Sequence, residues 1–257
     1  MGRDSTALVH AVAGRPLFCL ERRERVLPAA VVREALAERV AAIEASEGRA
    51  VGRRERAELR EQVVFELLPR AFTRAQRLFA WIEPRQGLLL VGSPSPRRAE
   101  ELLATLREAL GSLPLGRLET VHAPAEVMTR WLAQGSLPKG FAPGGECELR
   151  DRAEAASTIR VRNRDLLAAE LRSHLAEGMA VTRLALLWEG GVEFVLGADL
   201  SLKRLRFADE LAERAERCED PRAQLDADFA LWSGVLAELL AALLPLFGGA
   251  AEPAQAA

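Results

Sequence analysis

The stretch Val181-Thr182-Arg183-Leu184-Ala185-Leu186-Leu187-Trp188-Glu189-Gly190-Gly191-Val192-Glu193-Phe194-Val195-Leu196 decides the fold. Two apolar runs flank a Gly-Gly pair that is free to take the backbone angles of a tight turn, which predicts a β-hairpin. Basic strands lie on either side of it. Upstream, Ile159-Arg160-Val161-Arg162-Asn163-Arg164 alternates, and downstream Leu202-Lys203-Arg204-Leu205-Arg206-Phe207 does so less regularly. Strand side chains alternate faces, so Arg160, Arg162 and Arg164 should share one face about 6.5 Å apart, with Ile159 and Val161 behind them. By the same rule Arg204 and Arg206 share a face, with Leu205 and Phe207 opposite.

Helical patterns are interleaved with these strands. Pro28 stands at a helix start, and Val32, Leu36, Val40 and Ile43 recur at helical spacing to about Ser46. Leu59, Val63 and Leu67 mark a second helix ending near Pro69, and the short connection between the two predicts an αα-hairpin. Strands are expected within residues 8–27 and at 78–82 and 88–91, with a turn at 84–87. Ser95-Pro96 reads as a helix N-cap and first turn, Leu102, Leu103, Leu106 and Leu110 as its buried stripe, and Gly111 as its stop. Further helices are predicted around Val127 and Trp131, at 165–178, near 208–218 and at 222–247. Hairpins mixed irregularly with helices imply an α+β fold with mixed or antiparallel sheets, not a doubly wound parallel one.

At 257 residues the chain is long enough for one or two domains, and 49% hydrophobic with 28% charged residues is ordinary for a globular protein. Cys19, Cys147 and Cys218 form no disulfide framework or zinc pattern, which fits a reducing cytoplasm. No signal region opens the chain, and Leu236–Phe247 is too short a run for a membrane span, so a buried helix is expected there. Neither nucleotide-binding glycine fingerprint occurs, and His10, His122 and His174 are far apart with no metal-binding spacing. Asp226 and Asp228, two apart on a helix, would diverge. Trp81, Trp131, Trp188 and Trp232 sit in apolar patterns that suit a core. These patterns predict no catalytic residues, no metal, no cofactor and no small-molecule substrate.

Formal charge is −2 although 35 residues are basic. Cations clustered on two strands of a slightly acidic chain suit a surface that holds a polyanion. Only Lys139 and Lys203 among the basic residues are lysine, so the competing explanation is that arginine simply decorates a solvated strand face.

Several phrases, taken together, resemble the bacterial recombination-associated RdgC family: Leu67-Leu68-Pro69-Arg70-Ala71-Phe72, Gly111-Ser112-Leu113-Pro114, Val181-Thr182-Arg183-Leu184-Ala185-Leu186, Ser201-Leu202-Lys203-Arg204-Leu205-Arg206-Phe207 and Asp226-Ala227-Asp228-Phe229. They run in the family's order from about residue 5 to 247. The resemblance implies a non-enzymatic, nucleoid-associated cytoplasmic protein that binds double-stranded DNA with little sequence preference. It also implies a ring-shaped homodimer with a basic hole, opposing RecA filament formation, with no membrane partner. Carried over, residues 1–27 with 76–113 correspond to a central region, 28–75 to a protruding helical tip and 114–247 to a base, and 248–257 would be a disordered tail. Phe72 and Arg70 would then lie near a dimer contact, and Arg160, Arg162, Arg164, Lys203, Arg204 and Arg206 would line the hole. Family members carry a further N-terminal strand-and-helix segment, so the central sheet is expected to present an unpaired edge. The alternative is a protein-interaction module whose helical hairpin binds a partner, with incidental DNA binding.

Overall fold

The computed structural model describes residues 8–151, 157–213 and 218–251. Among them it is an α+β protein with two antiparallel sheets. The first sheet has the order β1 (His10–Val12), β2 (Arg15–Val26), β3 (Phe72–Glu83), β4 (Leu88–Val91); the second has the order β6 (Thr158–Arg162), β5 (Phe141–Asp151), β7 (Met179–Trp188), β8 (Val192–Gly197), β9 (Leu202–Phe207). The chain forms two compact units, Cys19–Phe79 and the residues on both sides of it, and residues 111–116 fall within the latter.

In the unit Cys19–Phe79, α1 (Ala29–Glu47) and α2 (Arg53–Leu67) pack on each other through Leu36, Val40 and Leu59, with Ile43 and Val51 at the margin. Gly48 ends α1 in the left-handed region at φ 65°, where glycine carries no side-chain penalty. This core is small, and Phe65 and Phe72 project from the unit at 80% and 89% exposure.

In the other unit the hairpin forms as the sequence predicts. Trp188 pairs with Val192 and Arg183 with Gly197. Gly191 turns the chain at φ 82°. The inner face of this sheet buries Val181, Leu184, Leu186, Phe194 and Leu196 against α4 (Pro124–Gln134) and α7 (Pro221–Leu243). Trp131 packs on Phe247, Trp81 on Phe229 and Phe207 on Trp232, which places these tryptophans in or beside the core.

Several expectations need correction. The helix α3 (Pro96–Leu110) buries Leu102, but Leu110 in its last turn is 62% exposed. Ser95 occupies the N-cap position without a side-chain hydrogen bond. The helix expected at 165–178 is only α5 (Ala169–Ala176), and the one near 208–218 is α6 (Asp209–Glu213), with 214–217 outside the described residues. The apolar C-terminal helix starts at Pro221, so Pro221–Phe247 is long and apolar enough to cross a bilayer by length and composition. Core helices pass the same test, and Val235, Leu236, Leu239 and Leu243 of this one join the core. Residues 248–251 of the expected disordered tail are held by backbone hydrogen bonds. Val121 N–H bonds to Gly249 O and Ala251 N–H to Glu119 O, while 252–257 lie outside the described residues.

The largest omission is β5. Pro143-Gly144-Gly145 suggests a loop, yet β5 is flanked by β6 and β7 in the middle of the hydrogen-bonded order. The glycine is required by a close approach: a Cβ on Gly144 would lie 2.7 Å from Ala185 Cβ.

Candidate nucleic-acid interface

The outer face of the five-stranded sheet collects the charges. On β6, Ile159 and Val161 pack toward the core while Arg160 and Arg162 face outward, as alternation requires. Glu148 and Glu146 stand opposite them on β5, in the pairs Glu148↔Arg160 and Glu146↔Arg162. Arg164 does not join this row. Asn163 turns left-handed at φ 52° and donates its N–H to Gly145 O at 2.7 Å, so β6 ends at Arg162 and Arg164 lies in the following loop.

Three irregularities decide which other side chains reach this face. Residues 144–146 together oppose Ala185, Thr182 and Arg183 together oppose Glu148, and Arg204 with Leu205 opposes Phe194. Each extra residue suspends the period-two rule locally. The first carries Glu146 into the groove. The second turns Thr182 and Arg183 to the same carboxylate while Val181 and Leu184 both stay buried. The third adds Lys203 to the expected grouping on β9: Arg204 and Arg206 line the same surface and Leu205 and Phe207 pack toward the core, while Lys203 pairs with Val195, two residues from the Glu193 opposite Arg206, and so joins the arginines. Arg204 sits at φ 53°, a strained angle for a residue with a side chain, costing on the order of 1 kcal/mol or more.

The result is a groove of about 220 Å³ lined by Glu146, Glu148, Arg160, Arg162, Arg183, Lys203, Arg204 and three apolar residues. Five cations face two carboxylates, a surplus of three positive charges. A second hollow of about 200 Å³ shares Glu146, Val195 and Arg204 and extends the surface to Arg206. Ala185 and Val195, paired across β7 and β8, are both buried on this side and form a small-residue floor.

Glu148 is the hub. Its side chain is only 5% exposed and accepts from Arg160 Nε at 2.9 Å, from Arg183 at 3.3 Å and from Thr182 Oγ1 at 3.1 Å, with Arg150 3.6 Å away. Burial pushes its carboxyl up, but the bonds from Arg160 and Thr182 and the charges of Arg183 and Arg160 outweigh this and hold it below the usual carboxylate range. Glu148 therefore stays ionised and fixes the arginines' positions, while Arg160 remains 63% and Arg183 47% exposed. Burial pushes the neighbouring Cys147 thiol up to about 12, so it stays a neutral thiol. Glu146, Glu148, Arg150 and Arg183 were missed in the sequence because β5 was hidden and the alternation around Arg183 is broken.

The other singled-out residues stand elsewhere. Asp226 meets His10 at 2.7 Å and Asp228 takes a bond from Gln224, so the two aspartates do diverge. His174 is half-buried beside Glu177. Arg70 lies in a short 3-10 turn, Leu68–Arg70, and Phe72 opens β3. Among the described residues no group of three or more His, Cys, Asp or Glu side chains is placed to hold a metal.

Fold and face together define an α+β protein with an arginine-rich sheet surface and a small helical unit. Comparison with known proteins gives the family. A sequence model of the family described as "Putative exonuclease, RdgC" matches residues 1–250, and the chain belongs to that family. The recombination-associated protein RdgC of Aeromonas hydrophila is 43% identical over 251 residues, covering 97% of this chain and 83% of that protein. Those of Halorhodospira halophila and Pseudomonas aeruginosa are 43% and 44% identical over 248 residues, covering 96% of this chain and 82% and 81% of theirs. Membership supports a role in recombination. The family description carries an exonuclease label that the relatives' names do not.

Proposed function

We propose that the protein binds double-stranded DNA without sequence preference through the outer face of its five-stranded sheet. The observation that carries this reading is the surplus of cations in one groove, where the carboxylate-positioned guanidiniums of Arg160, Arg162, Arg183 and Arg204 and the ammonium of Lys203 surround a small-residue floor. Guanidinium forks match phosphate oxygens, and contacts of this kind position a backbone without reading bases. Arg206 extends the contact row, whereas Arg164 contributes from the loop only if the duplex reaches it.

In the same proposal the protein acts as a homodimer that clamps the duplex and limits access of RecA, within the nucleoid. Exposed Phe65 and Phe72 on the small unit support self-association there, since large apolar side chains that exposed are suited to an interface. The helical pair is then the protruding tip and Arg70 a neighbour of the contact. A closed ring should outlast a high-salt challenge on circular duplex and slide off linear duplex of the same sequence. Equal survival on both would mean side-on binding.

The direct test is a mobility-shift titration on two unrelated duplexes at two salt concentrations. Neutralising several phosphates releases their counterions, so affinity should fall steeply with salt and equally for both sequences. Salt-independent binding, or binding to one duplex only, contradicts the proposal. The same complexes incubated with Mg²⁺ and an end-labelled duplex address the exonuclease label: release of nucleotides would replace a pure binding role with a nuclease.

A further inference from the structure

The groove is crossed by an ion pair that a bound backbone could not leave in place. Arg204 on β9 bonds to Glu146 on β5, although β7 and β8 stand between those strands. Three strand spacings make roughly 14 Å, so the two side chains meet only by reaching over the floor of Ala185 and Val195. Both ends of this link depend on irregular backbone. Glu146 belongs to the three-residue bulge opposite Ala185, and Arg204 sits at a left-handed φ of 53° in the bulge opposite Phe194. Strain of that kind persists where the surroundings fix it, and here the fixed geometry aims the two groups at each other. The other carboxylate oxygen of Glu146 faces Arg162 Nε at 3.9 Å, so one acidic group occupies two groove arginines from different strands.

Glu146 differs from Glu148 in what it can do. Glu148 is 5% exposed, whereas Glu146 is 25% exposed and its partners Arg162 and Arg204 are 66% and 61% exposed. Water and anions reach the Glu146 pair, and exposed ion pairs are weak enough to exchange.

We propose that the Glu146 carboxylate is a tethered stand-in for phosphate, an electrostatic latch that holds Arg162 and Arg204 across the empty groove and yields them to the phosphates of a polyanion. This deepens the duplex-binding reading and rests on it. A single small anion must displace a carboxylate attached to the same sheet, whereas a duplex offsets that exchange with contacts to Arg160, Arg183 and Lys203. The same cost therefore keeps short anions off at concentrations where a duplex, with those further contacts, is held.

The test is duplex binding by Glu146→Gln in two backgrounds, the natural chain and Arg162→Ala/Arg204→Ala, with tripolyphosphate as competitor and circular dichroism to establish folding. Removing the competing charge should tighten duplex binding about three- to fivefold in the natural background, the scale of one exposed ion pair. The gain should vanish when Arg162 and Arg204 are absent, because the coupling runs through them. The inhibition constant of tripolyphosphate should fall by the same factor, since either anion has to release the same carboxylate. An equal gain in both backgrounds would mean plain charge repulsion and overturn the latch while leaving duplex binding intact, and so would no gain at all. Absence of salt-dependent duplex binding in every variant and in the natural chain would overturn the binding reading, and the latch with it.

Discussion

Where arginines of the unit Cys19–Phe79 form ion pairs, no more than two share a carboxylate. Arg39 bonds to Glu66 at 2.8 Å, Arg54 to Glu58 at 3.2 Å, and Arg49 lies between Glu47 and Glu55 at 2.7 Å from each. On the five-stranded sheet Arg150, Arg160 and Arg183 converge on Glu148, and Arg162 and Arg204 on Glu146. Ion pairs in the small unit are local and solvated. The groove instead gathers arginines from different strands around each of two carboxylates. Counting arginines therefore separates nothing in this chain, whereas how they gather around carboxylates separates a decorated surface from an anion-binding one.

The two units also differ in how firmly they are built, which the largest expected effect addresses. Leu184→Ala in the main core, where Leu184 is fully buried, should cost about 2–5 kcal/mol, whereas Leu36→Ala in the small helical core should cost about 2 kcal/mol or less, because its neighbours are partly wet. Denaturant midpoints decide this, and equal costs would show that the helical core is sealed by something else. Glu148→Gln comes next, at about 2 kcal/mol, since it loosens several charge-assisted bonds at one buried group. The sign with pH follows from its depressed carboxyl. Glu148 contributes its stability above the unfolded value of about 4.3 and loses it as pH falls through the lower folded value. The gap between natural chain and variant should hold from neutral pH to about pH 5 and close in stronger acid. A gap that instead widens in acid would contradict the assignment.

Smaller effects sharpen the contrast further. Phe72→Ala should change folding stability by no more than about 0.5 kcal/mol, because a side chain 89% exposed makes few internal contacts, while weakening self-association seen by light scattering. Unfolding of that variant would return Phe72 to a core role. Arg54→Ala, in a pair with Arg54 95% exposed, should leave the salt dependence of duplex binding where it is. A changed slope would bring the small unit into the DNA contact.

Regular local chemistry made much of this legible in the sequence. The hairpin across Gly190-Gly191, the helical stripes of α1 and α2 and the outward Arg160 and Arg162 follow from periodicity alone. What stayed hidden shares one cause, backbone irregularity inside the sheet. Pro143-Gly144-Gly145 concealed β5 and with it both groove carboxylates, although at Gly144 β7 passes too close for a side chain. Bulges at Thr182–Arg183 and Arg204–Leu205 broke the alternation, and left-handed Asn163 removed Arg164 from the row. Period-two reasoning finds the strands and misplaces residues where a strand departs from its own period.

The central claim is that the surplus arginines of the sheet neutralise phosphates, and the salt slope of the Arg160→Ala/Arg162→Ala/Arg204→Ala variant tests it most directly. Three contacts at about 0.9 each should flatten the plot of log affinity against log salt by roughly 2.7 on each of two unrelated duplexes, with folding retained. An unchanged slope would show that this face is only a solvated surface, and a loss confined to one duplex would show base readout in place of backbone binding.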